Sequence, residues 1–218
     1  MSKKFIALLM VAVLSVAIFS ISSFGAFDGY AMRFNTQEFL DKFNLTNTEI
    51  ELKDGYATAT STAHDPNIEY TFSETDVLDA DKYKFAVMKY RTTYEQEGMI
   101  GEFYFASDVS GYNHPATHAV FNLNSSGEWQ RVVVDLSTFE AWTGNIKSLR
   151  IDYIEANNLP AGAAMDIEYI AFFATKAEAE AFTDNFDDNP ATSDQSVLFA
   201  FVTLLGFAAV VFKRKLAY

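Results

Sequence analysis

The chain has 218 residues, a formal net charge of −13 and no cysteine. Lack of cysteine excludes disulfides and a lipid-modified cysteine, so a folded domain here is held by packing alone. Residues 26–196 carry 11 basic and 29 acidic residues, a net of −18, which repels nucleic-acid phosphates and anionic lipid headgroups and excludes nucleic acid as a partner.

The first predicted element is a secretory signal helix over residues 1–25. Lys3-Lys4 is followed by an apolar run over 5–21 and then by small, turn-forming residues up to Gly25. Ser23 and Gly25 suit cleavage after Gly25; Gly29 and Ala31 suit cleavage after Ala31. Retention as an N-terminal anchor is the alternative.

A short helix is predicted over 37–43, with Phe39, Leu40 and Phe43 on one side. Apolar and polar residues then alternate over 57–62, 68–72, 84–93, 102–106, 118–123, 131–136, 148–153 and 165–173. Asp54-Gly55, Asp65-Pro66, Ser110-Gly111, Ser126-Gly127, Thr143-Gly144 and Ala161-Gly162 punctuate these runs. Many short strands between turn signals predict an all-β antiparallel β-sandwich, one domain over 26–182. A second helix is predicted over 176–182, where Thr175 and Glu178 have capping-box spacing. Residues 183–196 are acidic and polar and read as a linker.

Residues 197–212 are apolar and uncharged, and Lys213-Arg214-Lys215 follow at once. As a helix this run spans about 24 Å, short against a hydrocarbon core of about 30 Å. The pattern predicts a transmembrane helix with a cytoplasmic basic tail over 213–218.

Residues with catalytic chemistry are sparse. No cysteine nucleophile and no G-x-S-x-G elbow is present. His114 and His118 are four apart, but Pro115 and the missing Glu depart from the zinc-protease pattern; a polar loop leading into a strand is the simpler reading. Asp76, Asp79 and Asp81 are spaced like the start of a calcium loop without its Gly and closing Glu. These residues predict no enzyme.

A binding face is better supported. Lys89 and Arg91, Glu102 and Tyr104, and Arg150 and Asp152 occupy alternate strand positions and are expected to share one outer face. Arg91, Tyr104, Arg150 and Asp152 are the candidate ligand-binding residues; a plain solvated face is the alternative for the basic ones. Trp129 and Trp142 read as edge or core packing, with a sugar platform as the alternative.

Two resemblances extend this reading. Asn189-Pro190-Ala191-Thr192-Ser193, the apolar run and the basic tail together resemble LPxTG-type cell-wall sorting signals of Gram-positive surface proteins. Asn189 stands where the leucine would be, and Ser193 replaces the glycine. The resemblance implies sortase as a partner and covalent wall attachment. The Ser193 side chain crowds the cleavage site, so retention as a plain membrane anchor stays open beside it. Either way the domain is expected on the extracellular face of the cell membrane or cell wall.

The second resemblance rests on Asp65-Pro66-Asn67-Ile68, Tyr83-Lys84-Phe85, Phe103-Tyr104-Phe105, Gly127-Glu128-Trp129-Gln130, Asp135-Leu136-Ser137, Trp142-Thr143-Gly144, Leu149-Arg150-Ile151-Asp152 and the run from Asp166 to Phe173. These resemble the jelly-roll modules, galactose-binding-like or carbohydrate-binding-module-like, of bacterial surface proteins and glycoside hydrolases. The resemblance implies a non-catalytic domain that binds a glycan, either an environmental polysaccharide or the cell's own wall. An adhesive or structural protein with a protein partner is the rival. It implies no cofactor beyond a structural calcium near the last strand, where Asp166 is the nearest match.

Overall fold

A computed structural model describes residues 27–186, and Gly29–Thr183 form one compact unit. The predicted signal helix, sorting motif, transmembrane helix and basic tail lie outside the described residues. Among those described, no helix is long and apolar enough to cross a membrane.

The unit holds twelve strands: β1 Tyr30–Arg33, β2 Phe43–Thr46, β3 Thr48–Leu52, β4 Ala57–Ser61, β5 Asn67–Thr71, β6 Leu78–Asp79, β7 Phe85–Arg91, β8 Ile100–Ser107, β9 His118–Asn122, β10 Gln130–Asp135, β11 Asn145–Glu155 and β12 Ala164–Phe173. Two helices, α1 Gln37–Leu40 and α2 Lys176–Ala181, flank them. All strand pairs are antiparallel. The first sheet has the order β10-β7-β12-β4-β3, with β1 continuing the β4 side of β12. The second has the order β2-β5-β11-β8-β9, with β6 continuing the β5 side of β11. This is the two-sheet antiparallel sandwich expected from the alternation.

Alternation explains the core. Along β7, Ala86, Met88 and Tyr90 face inward; along β8, Phe103 and Phe105 do; along β11, Leu149 and Ile151 do. On β12, Met165 and Ile167 point inward, then a register shift between Ile167 and Tyr169 passes the inward role to Ile170 and Phe172. Trp142 joins the two sheets. Its ring meets Phe105 edge-on at 4.9 Å and stacks on Phe172 at 6.1 Å, and its indole N–H donates to the Tyr83 carbonyl at 2.7 Å. It is 1% exposed, in keeping with the packing reading.

The eight alternating runs all became strands. Four strands were not foreseen, β1, β2, β3 and β6. The first predicted helix is shorter than expected: Thr36 caps it by accepting from the Phe39 N–H, it ends at Leu40, and Phe43 opens β2. Asn47, at φ 48°, then turns the chain from β2 in the second sheet to β3 in the first. The second helix carries its capping box in full: Thr175 Oγ1 accepts from the Glu178 N–H, and Glu178 Oε2 accepts from the Thr175 N–H at 3.0 Å. It packs on β12, β7 and β10, covering one end of the outer face of the first sheet.

Candidate functional site

The outer face of the second sheet collects most of the unusual chemistry. Strand register sets Glu69 of β5 opposite Arg150 of β11, Arg150 opposite Tyr104 of β8, and Tyr104 opposite His118 of β9. Side chains directly opposite on one face lie close enough to touch. The Arg150 guanidinium sits 5.1 Å from the Tyr104 ring centre. On the other side the His118 ring stacks on Tyr104 at 4.3 Å and 13°. His114, from the loop before β9, lies 4.9 Å from His118.

A second row runs beside it. Asp152 is opposite Glu102, and Glu102 is opposite Val120, which is 50% exposed. Arg150 grips Asp152 with a fork, Nε to Oδ1 and Nη2 to Oδ2, both at 2.6 Å. The same Nη2 reaches Asp65 Oδ1 at 2.7 Å. Glu102 Oε1 bonds His118 Nε2 at 2.9 Å. Tyr112, half exposed, donates its hydroxyl to Glu69 Oε1 at 2.6 Å and lies 2.6 Å from Ser148 Oγ.

Charge on this face is mostly negative, with Asp65, Glu69, Glu102, Asp152 and Glu155 around one arginine. Burial pushes the Asp152 carboxyl up to about 6; the Arg150 fork opposes that shift, while Asp65 and Glu102 add to it. The attraction within the pair is real, yet taking the carboxylate out of water outweighs it. Arg150 itself is raised, first by its bonds to Asp152. Burial, with Glu102 next, raises the Tyr104 phenol to about 12. Burial and the bond to Glu69 do the same for Tyr112. Burial, with Glu102 behind it, also raises Glu155.

Asp65, Asp152 and Glu155 each bring one oxygen within 4.8 Å of the others, a spacing a divalent cation accepts. Arg150 already binds two of the three, so a metal would compete with its guanidinium.

Tyr104, Arg150 and Asp152 therefore share one face as expected, but Arg91 does not. Arg91 and Lys89 lie on β7 in the first sheet, on the opposite side of the sandwich. Alternation fixes which side of its own sheet a residue faces; it does not say which sheet its strand joins. Asp166 is on that opposite side too. Its Oδ2 accepts from Arg91 Nε and its Oδ1 from Thr58 Oγ1, both at 2.6 Å. The carboxylate nearest to the calcium expectation is thus an ion-pair partner, away from the Asp65, Asp152 and Glu155 group.

Trp129 packs against Tyr56 and Arg91. It is only half-buried, on the outer face of the first sheet. The three spaced aspartates have structural partners. Asp76 accepts from the Tyr30 and Tyr70 hydroxyls, Asp79 from the Asp81 and Lys82 N–H groups, and Asp81 from Thr143 and Gly144. Sequence reasoning missed Asp65, Glu69 and Tyr112. They come from a turn, from the middle of β5 and from the loop before β9, and only register and the loop's path bring them to Arg150 and Ser148.

No protein-family model matches the chain, and no curated protein matches it in sequence. Solved structures do resemble it in fold. A low-affinity xylan-binding module, CBM86, from the gut symbiont Roseburia intestinalis is 12% identical, with a TM-score of 0.45 over 69% of this chain and 98% of that one. A family 29 carbohydrate-binding module is 8% identical, with a TM-score of 0.49 over 72% of this chain and 97% of that one. A family 11 module of a cellulosomal cellulase of Clostridium thermocellum is 14% identical, with a TM-score of 0.42 over 71% and 91%.

Proposed function

We propose that this domain is a non-catalytic, jelly-roll-like module that binds a polysaccharide on the outer face of its second sheet. The observation that carries the reading is the row Glu69–Arg150–Tyr104–His118, in register across four strands on the outer face of the second sheet. Sugars are bound by apolar contact combined with a few well-placed polar groups. Arg150 and His118 occupy the two faces of the Tyr104 ring, so the row offers a ligand its hydroxyl, N–H and carboxylate rims. Val120 and half-exposed Tyr112 supply apolar contact beside them.

Closely set carboxylates are also what a retaining glycosidase uses. Here Asp152 is 1% exposed and both its oxygens are held by Arg150, which bars it from reaching a glycosidic oxygen. Binding without cleavage is the reading that fits. The location we propose, tethered outside the cell, rests on the signal-like start and the sorting-like end of the sequence.

The test is calorimetry and affinity electrophoresis of the full chain against neutral and acidic polysaccharides. Tyr104→Ala and Tyr112→Ala should each weaken binding about tenfold, the loss of about 1.4 kcal/mol, without reducing sugar release, which should be nil throughout. Absence of binding to every polysaccharide, with a surface protein recovered instead by crosslinking to Val120 or Tyr112 positions, would sink this reading in favour of adhesion.

A further inference from the structure

The connection between β8 and β9 lies across the outer face of the second sheet. Ten residues, 108–117, separate Ser107 from His118, where a hairpin commonly uses about two to five. The surplus folds back over its own sheet. Tyr112 reaches past β8 and places its hydroxyl between Glu69 of β5 and Ser148 of β11, 2.6 Å from each. His114 comes down at the other end of the row, its ring 4.9 Å from that of His118 and 6.3 Å from that of Tyr104. Only 11% of the His118 side chain stays exposed.

The backbone of this segment stays off the sheet. Among the described residues, the backbone hydrogen bonds of residues 109–115 lead only to the segment itself or to its roots. The Val109 and Ser110 N–H groups donate to Ser107 Oγ, the Ser110 carbonyl accepts from the Ser107 N–H, Asn113 exchanges two bonds with Thr117, and the Pro115 carbonyl accepts from the His118 N–H. What holds the segment down is therefore the Tyr112 hydroxyl and the His114 ring. Tyr112 is half exposed and Val109 is 66% exposed, so lifting the segment uncovers little apolar surface. Segments held by few buried contacts open at low cost. The phenol suits a latch. Burial and the bond to Glu69 push it up to about 12, so at neutral pH it keeps its proton and stays a donor.

We propose that residues 109–116 are a strap over the row, latched by Tyr112, and that a glycan gains Glu69, Arg150 and Tyr104 only when the strap lifts. The inference rests on the reading that this row is the glycan site. A ligand must take Glu69 and Ser148 from Tyr112, so latch and ligand compete. Apparent affinity is then the intrinsic affinity reduced by the fraction of chains whose strap is open. Phenylalanine at 112 keeps the ring and deletes the latch. Alanine deletes both, and the loss of the ring outweighs the gain.

Two readouts follow the same open fraction. Without any sugar, diethylpyrocarbonate modification of His118, read by mass spectrometry on the full chain in detergent, reports how often the strap lifts; exposed His64 is the internal reference. Calorimetry with xylohexaose, cellohexaose and laminarihexaose reports affinity. Tyr112→Phe should speed His118 modification about fivefold at an unchanged His64 rate and tighten binding by the same factor, the ratio that one net hydrogen bond of ordinary strength gives. If Tyr112→Phe melts lower than the unaltered chain, Ser148→Ala, which removes one partner of the latch, is read in its place and should move both quantities the same way. Faster His118 modification with no sugar bound by either chain would uphold the strap as a moving cover while removing the glycan reading. Unchanged His118 modification, or faster modification with sugar affinity unchanged, would overturn the strap and leave the glycan reading standing.

Discussion

Arg150 and Asp152 are two residues apart on one face of β11, and the arginine forks both oxygens of a carboxylate that is 1% exposed. The i, i+2 spacing of a strand produces this contact without any long-range pairing. The arginine is therefore a structural counter-charge as well as a group on the binding face. Removing it strands a buried carboxylate. Arg150→Ala should cost on the order of 3–5 kcal/mol in chemical denaturation, as for other broken buried pairs. Adding Asp152→Asn to it should recover most of that loss. A single variant as stable as the unaltered chain would show that Asp152 relaxes into water.

The same burial sets a pH dependence. The folded-state pKa of Asp152 is raised from 3.8 to about 6, so between those values the folded chain holds more proton than the unfolded one. Stability from this group is present at low pH and is lost as pH rises through about 6, on the order of 3 kcal/mol at most. Asp81 and Asp108 run the other way. The first is lowered chiefly by the Thr143 hydrogen bond and the second chiefly by the Asn145 N–H, and both favour the fold at higher pH. Calorimetric melting of Asp152→Asn beside the unaltered chain, at pH 4.5 and 7, isolates the contribution. The variant should gain more at pH 7 than at pH 4.5; equal gain at both would contradict the assignment.

The two tryptophans should separate cleanly. Trp142→Ala opens a cavity between Phe105 and Phe172 and orphans the Tyr83 carbonyl, at a cost on the order of 3–5 kcal/mol. Trp129→Ala removes a half-buried ring from a sheet face and should cost about 1 kcal/mol or less. Urea midpoints of the two variants measure the contrast, and comparable losses would mean that Trp129 packs as tightly as Trp142.

How far the sequence alone reaches is visible in these residues. The strands with strict alternation, such as β8 with Phe103 and Phe105 inward, declared themselves because one face is buried and the other wet. Strands β2 and β3 did not, because Asn47 divides them after only four residues of β2 and sends each to a different sheet. Arg150 and Asp152 could be paired from spacing. Grouping Arg91 with them failed for want of sheet membership, a property of the crossovers. Asp65, Glu69 and Tyr112 needed the register of β5 against β11 and the path of the loop before β9, and no local pattern encodes either.

Core and binding face are linked through Gly101. It pairs with Phe121 across β8 and β9, and a Cβ there would lie 2.3 Å from Phe121 Cε2. Without a side chain at 101 the Phe121 ring leans over the strand to meet Phe103 at 4.8 Å. Gly101→Ala must push that ring away, and with it the strand that bears His118 and Val120 on its outer side. Overpacking of this kind costs about 1–3 kcal/mol. The variant should melt lower and also bind glycan more weakly, although residue 101 itself faces the core. Pairing Gly101→Ala with Phe121→Leu, which retracts the offending ring atoms, should restore both. If stability returned but binding did not, the position of His118 would not depend on this contact. If Gly101→Ala alone left binding untouched, β9 would lie outside the binding face.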